Sequence, residues 1–432
     1  MDRYFEITQH GSTVRTEILA GITTFLTMAY IVFVNPAILA DAGMDRGAVF
    51  VATCLGAAFG TFVMGLYANL PTALAPGMGL NAYFAYGVVL GMHHSWQTAL
   101  GAVFLSGILF IVISVLPVRE AIVNSIPRSL KMAISAGIGF FLAIIGMKNA
   151  GLIKADQNTM VALASLTNLS TVLATVGFVA MVALVKLEVR GAIMIAILGI
   201  SAVGMALGLT PVPATLVSAP PSLAPTFLQL DIAGAMNMGL IAIVFTFLFV
   251  DLFDNAGTMI GVAHRAGLLD ADGKITRLRQ ALLADSTAST VGSLFGTSTV
   301  TSYIESAAGT NAGGRTGLTA VTVGVLFLLA LFFSPLAGMI PAYASAAALL
   351  FVACVMASLM ANLEWEDITE AAPAVIAAIT MPLTYSIATG IGLGFITYAV
   401  IKVLAGRFKD IPIAVGILAI VFAVKLILVP GG

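Results

Sequence analysis

Charge is what this chain has least of. Of 432 residues only 9% are Asp, Glu, Lys or Arg, and the formal net charge is -1. That leaves no basic stripe for a nucleic acid and too few charges to cover the surface of a soluble protein. Cysteine is nearly absent too. Cys54 and Cys354 each fall in an apolar stretch, where a lone thiol behaves as a small hydrophobe, so neither a disulfide nor a metal site is implied. His93 and His94 are adjacent, their side chains diverge, and no second pair has metal-ligand spacing. No nucleotide-binding glycine loop is present, which argues against a nucleotide-driven pump.

Apolar sequence fills the space instead. Sixty per cent of the residues are hydrophobic, in runs near the roughly 20 residues that a bilayer core requires. The fold class expected is an all-α polytopic membrane protein. Spans are placed near 17–39, 47–68, 74–91, 97–116, 121–147, 169–186, 191–209, 236–262, 278–295, 299–312, 316–334, 343–360, 372–387 and 388–405, fourteen in all. Ile411 to Val429 is left over as a further span, a re-entrant helix or an interfacial one. The first run starts only at Ile18, after a mixed-charge lead, and lacks a signal-peptide cleavage pattern, so it is expected to stay as the first helix. A cytoplasmic N-terminus puts most Lys and Arg inside, among them Arg15, Arg128, Lys131, Arg265, Arg315 and Arg407, and leaves Arg46, Lys148 and Lys154 outside.

Two of these segments are broken. Leu70 to Gly91 carries Pro71, Pro76, Gly77, Gly79 and the polar Asn81; Phe295 to Gly314 is studded with glycine and carries Glu305. A carboxylate at membrane depth costs several kcal/mol unless it is paired or lines a wet cavity. Irregular backbone there is tolerated only inside protein or beside a cavity. Paired interrupted spans therefore point to a transporter's midplane site, with a positive helix end at each break. Taken alone, the glycines are equally consistent with close helix packing.

The breaks also fall at the same place in an internal register. At an offset of about 220 residues, Thr98, Leu100, Ala102, Val103 and Pro117 overlie Thr316, Leu318, Ala320, Val321 and Pro335, and Asn81-Ala82-Tyr83 overlies Thr301-Ser302-Tyr303. Each match is weak, and chance similarity between apolar helices is the alternative. A repeat of seven spans is odd, so its second copy would enter the membrane upside down.

In the eighth span Asp251 and Asp254 lie three residues apart, on one helical face, followed by Asn255 and Thr258. Two acids on one apolar face cannot both ionise cheaply, so one is suited to taking a proton from water. A structural pair bonded to Ser, Thr or backbone groups is the alternative. Asp285, among Ser286, Thr287 and Ser289, reads as structural. The Glu364, Glu366, Asp367, Glu370 cluster reads as a solvated face.

The runs GITTFLTMAYIVFVNPAILADAG (Gly21 to Gly43), APGMGLNAYF (Ala75 to Phe84), DLFDNAGTMIGVA (Asp251 to Ala263), TSYIESAAGTNAGGRTGLTA (Thr301 to Ala320) and ITEAAPAVIAAITMPLTYSIATGIGLGF (Ile368 to Phe395) closely resemble the AzgA-like purine permeases, a branch of the nucleobase and ascorbate transporters related to the uracil permease UraA. The resemblance covers nearly the whole chain. It implies fourteen helices in two inverted seven-helix repeats with broken third and tenth helices. Core-domain halves would lie at 16–117 and 236–335, and gate-domain halves at 118–235 and 336–432. It further implies proton-driven uptake of adenine, guanine or hypoxanthine across the cell's inner membrane. Asn81, Phe84, Asp251, Asp254, Ser302 and Glu305 would contact substrate, and Asp251, Asp254 and Glu305 would couple protons. The expected partners are a purine, protons and the bilayer, with no cofactor beyond the proton gradient and no nucleic acid; a homodimer is allowed. A flat neutral purine needs carboxylate acceptors, an amide and apolar or aromatic walls, which Asn81, Glu305, an eighth-span Asp and Phe84, Tyr83 or Phe249 supply. A channel, or an intramembrane aspartyl enzyme using Asp251 and Asp254, is the alternative. Motion is expected to slide the core against apolar gate surfaces at Ala133, Gly137 and Phe140 of the fifth span and Ala347, Leu350 and Cys354 of the twelfth.

Overall fold

The structure, a computed structural model, describes residues 2–116, 126–212, 215–236, 238–268, 275 and 277–428. The domain boundary at 117/118 and Pro117 of the repeat register lie outside them. Among the described residues eight helical stretches are long and apolar enough to cross a bilayer, and several shorter apolar helices accompany them.

The first run is a bent span. Helix α1 (Val14–Met28) starts at the Thr13 cap, whose hydroxyl accepts the Thr16 N–H. After a turn at Ala29 and Tyr30, α2 (Ile31–Asp41) continues it. Helix α3 (Arg46–Val63) is capped by Asp45 and ends in a π turn, Met64–Ala68, closed by Asn69 in the left-handed conformation. Strand β1 (Leu74–Pro76) and α4 (Met78–Ala82) follow, the latter running on as a π stretch to Gly91, and then α5 (Trp96–Val115). Next come α6 (Arg128–Asn149), a hairpin of β2 (Ile153–Asp156) and β3 (Met160–Leu163) that the sequence had not announced, α7 (Leu169–Lys186) and α8 (Ala192–Ala206). The second half runs α9 (Met238–Ala266), α10 (Leu278–Phe295), β4 (Val300–Ser302), α11 (Ser306–Asn311) and α12 (Gly317–Ala330). It closes with α13 (Ala342–Ala357), α14 (Ile368–Thr384), α15 (Ile387–Leu404) and α16 (Ile413–Leu428). The leftover apolar run is thus a helix, and it lies on α15, where Phe422 stacks on Phe395 at 6.3 Å beside Gly392.

Both broken segments cross as short strands instead of helices. Strands β1 and β4 pair antiparallel, Leu74 opposite Ser302, Ala75 opposite Thr301 and Pro76 opposite Val300. Backbone groups freed there must find partners inside the protein, since lipid offers none. Thr61 Oγ accepts the Leu74 N–H at 2.9 Å and donates to its carbonyl at 3.0 Å. Ser306 Oγ accepts the Ala73 N–H, while Ser289 and Tyr303 hydroxyls donate to the carbonyls of Val300 and Pro76. The Ser and Thr that weaken the apolar signal of these spans hold the break together.

Helices pack in two groups. One holds α1 to α5 and α9 to α12; the other holds α6 to α8 and α13 to α15. In the first, the start of each half's opening span meets the start of a helix in the other half. Buried Glu17 accepts from the Thr319 hydroxyl at 2.6 Å and from the Arg315 and Thr316 N–H groups. Asp231, ahead of α9, accepts from the Thr98 hydroxyl at 3.1 Å, at the start of α5. Glycine permits a close backbone approach there: a Cβ on Gly317 would stand 1.9 Å from the Gly65 carbonyl oxygen.

The surface between the groups differs from the one expected. Gly137 faces Met381 and Ala378 of α14, and Gly146 faces Leu350 of α13. Ala133 packs with Leu363, Ala374 and Ala377, and Cys354 is exposed. These small residues bind the second group to itself. Contacts with the first group include Ile138 and Met356 against Gly79, Gly191 against Leu26, and Asn149, which donates to the Tyr86 hydroxyl. The acidic cluster is also more than a solvated face. Fully buried Lys402 contacts Glu370 at 2.7 Å, and Glu370 also accepts from Ser129 and Tyr398.

Candidate functional site

A cavity of about 580 Å³, its open mouth included, lies where the strand crossing meets α13. From the first group come Tyr30, the Gly77-Met78-Gly79 backbone, Asp254, Thr258 and the strand-to-helix turn from Thr301 to Glu305. From the second come Phe351, Val352, Val355 and Met356, a wholly apolar wall with one aromatic ring.

Glu305 precedes α11 but does not cap it. Its Oε1 instead accepts the Tyr30 hydroxyl at 2.7 Å, so the bend in the first span orients the carboxylate of the later break. Asp254 faces the same cavity and interacts electrostatically with Glu305. Across from them Met78 and Gly79 lie in the first turn of α4, where backbone N–H groups have no partner within the helix. The arrangement offers two carboxylate acceptors, backbone donors, hydroxyls and an apolar face, which suits a flat polar ligand better than an ion stripped of water.

The other site residues expected from the sequence stand behind this lining. Asn81 is buried; Ser298 donates to its Oδ1, and its amide donates to the Pro76 carbonyl at 3.4 Å. It buttresses the break. Phe84 is buried in the π stretch, away from the cavity. Ser302 lines the cavity while donating to Asp285 Oδ1 at 3.3 Å. Asp251 is separated from Asp254: its Oδ2 accepts from Ser289 at 3.1 Å, and its other side faces Asp285 and Thr301. Read as structural at the end of a span, Asp285 is instead in the buried polar cluster, because the one polar face of α10 turns inward towards β4. Phe249 stacks on Phe245, not on the cavity. The sequence reading missed Tyr30 and Phe351. Tyr30 lies inside the family-like run Gly21 to Gly43, which was the one available signal; Phe351 had none in an alanine-rich span.

This combination of crossed half-spans and a cavity between two helix groups defines a multi-pass membrane permease. Residues 15–393 match the permease family, and the chain belongs to it. It is 48% identical over 429 residues to the adenine permease AdeP of Escherichia coli, covering 99% of this chain and 96% of that one. It is 43% identical over 432 residues to the guanine/hypoxanthine permease PbuG of Bacillus subtilis, covering 97% and 98%. These relatives agree with the AzgA-like resemblance of its motifs; they are permeases, not enzymes. The fold is similar to the transmembrane domain of a cyanobacterium bicarbonate transporter, BicA, with a TM-score of 0.64 at 16% identity over 88% of this chain and 96% of that domain.

Proposed function

We propose that this protein is a proton-coupled symporter that takes up purine nucleobases across the cytoplasmic membrane by alternating access, with its N-terminus in the cytoplasm. The observation that carries the reading is the cavity itself, with Asp254 and Glu305 on one wall and the Phe351 side of α13 on the other. Purine N–H groups would be met by the two carboxylates and the ring face by Phe351. Ser302 would line the site, with Asn81 and Phe84 holding its frame. Asp251, Asp254 and Glu305 would carry the coupling charge.

Two inverted repeats of seven spans fit the crossing of β1 with β4 and the matching roles of Glu17 on α12 and Asp231 on α5. The first helix group would be the core, 16–117 with 236–335. The second would be the gate, 118–235 with 336–432. An aspartyl enzyme loses its ground, since Asp251 and Asp254 do not share one site. Uptake of labelled adenine, guanine and hypoxanthine in cells lacking their own purine carriers, with unlabelled competitors and with or without a protonophore, tests the reading. Uptake insensitive to every purine would reject the substrate class.

A further inference from the structure

The polar cluster behind β4 has an unusual pattern of partners. Asp251 and Asp285 are both fully buried. Each has one oxygen occupied by a serine donor, Ser289 on Asp251 Oδ2 and Ser302 on Asp285 Oδ1. The remaining oxygens, Asp251 Oδ1 and Asp285 Oδ2, have no donor in the structure. Yet the two side chains are neighbours, since Ser289, which donates to Asp251, lies one turn beyond Asp285 on α10. Two neighbouring carboxylates repel; a carboxylic acid and a carboxylate can share one proton between them.

The neutral donors beside the pair, the Thr301 hydroxyl and the Asn255 amide, bring no positive charge to offset two buried carboxylates. Asn255 approaches Asp285, Thr301 approaches Asp251, and Asp254 adds a negative charge from the same helix. Ion pairs seen among the described residues engage other acids, namely Glu6, Asp367, Glu370 and Asp410. Buried charge without a cation is costly, and sharing a proton halves it.

We infer that Asp251 and Asp285 form a proton-sharing dyad, and that this dyad, set behind the ligand cavity, is where the coupled proton resides. The coupling half of the inference rests on the symport reading above. Ser302 links the two sites, since it lines the cavity and donates to Asp285. Loss of the proton sets two carboxylates against each other beneath β4, so the position of the ligand-lining strand depends on whether the proton is present. Asp285 thus acts on the ligand through Ser302 as a positioning residue.

Infrared spectroscopy of the purified protein at neutral pH tests the dyad without transport. A protonated-carboxyl band that shifts in D2O is expected in the wild type and in Asp254→Asn, and is expected to vanish in Asp251→Asn and in Asp285→Asn. Each of the last two substitutions keeps the hydrogen bond and the single negative charge and removes only the need for the proton. A wild type without the band, or a band that survives in Asp285→Asn, overturns the dyad. Coupling is read in proteoliposomes containing a pH dye. Wild-type protein is expected to carry protons with adenine or hypoxanthine. Asp285→Asn should exchange labelled for unlabelled purine but carry no protons, with Asp285→Glu restoring them. Proton movement equal to wild type in Asp285→Asn overturns the coupling role. Purine uptake without proton movement in the wild type overturns the symport reading, while the infrared band still decides the dyad.

Discussion

The Tyr30 hydroxyl donates to Glu305 Oε1 at 2.7 Å, joining the bend between α1 and α2 to the turn that opens α11. A hydrogen bond to a charged group is worth about 1.5–3 kcal/mol. Tyr30→Phe should therefore lower uptake efficiency by about tenfold to a hundredfold, leaving the carboxylate present but unaimed. Glu305→Gln should bring uptake to background with the protein still in the membrane, because the amide keeps the shape and loses the charge-assisted acceptor. Labelled-purine uptake normalised to membrane protein measures both, and wild-type uptake in Glu305→Gln would remove that residue from the site.

Coupling gives the second prediction. A proton held behind the cavity offsets the buried negative charge that a neutral ligand cannot neutralise. Uptake into right-side-out vesicles should rise with an inward proton gradient and collapse on addition of a protonophore. Accumulation that ignores the gradient would sink proton symport.

Much of this is legible in the sequence. The span expected at 169–186 coincides with α7 and that at 278–295 with α10, because their ends carry Asn168 as a cap and Gly296 in the left-handed conformation. The two breaks stood out as polar, glycine-rich gaps. What did not show was which face looks at which. Apolar periodicity separates lipid from protein in soluble terms, but here both sides of a helix are apolar, so Gly137 was assigned to the wrong neighbour. Asp254 and Asp251 share a helical face by spacing, yet one reaches the cavity and the other reaches α10, because strand β4 passes between their destinations.

Stability gives a third prediction, at Lys402. Its ammonium is fully buried, 2.7 Å from Glu370 and 2.8 Å from Thr369 Oγ1. Lys402→Met strands the carboxylate of Glu370 and should cost about 3–5 kcal/mol, read as a lower melting temperature in detergent. Adding Glu370→Gln should recover most of the loss. Next to it, hydrogen bonds from Thr369 and Arg407 hold the Asp367 carboxyl well below the usual carboxylate range. Its contribution is complete above the ordinary value of about 4 and is lost only as pH falls further, through the lowered value. The melting difference between wild type and Asp367→Asn should thus be the same at neutral pH as at pH about 5.

The last prediction concerns motion. Gly79 in the first turn of α4 is one place where the first helix group touches the second: a Cβ there would stand 2.4 Å from Ile138 Cγ2 of α6. Gly79→Val should abolish uptake, and pairing it with Ile138→Ala should restore part of it. The same position would stand 3.7 Å from Ile138 Cβ, a separation that a disulfide spans without strain. In a background with Cys54 and Cys354 replaced by Ala, Gly79→Cys with Ile138→Cys should therefore cross-link on oxidation. If the first group moves as a body against the second, the bond stops uptake and a reductant restores it, because the two groups must change neighbours during each cycle. Purine binding, followed by ligand-induced thermal stabilisation, should persist in the cross-linked protein from one side. Uptake that continues with the bond formed would rule out relative motion at this contact. Binding lost together with uptake would mean that the gap between Gly79 and Ile138 opens to admit the ligand, and the apolar wall at Phe351 would then be a moving part of the site.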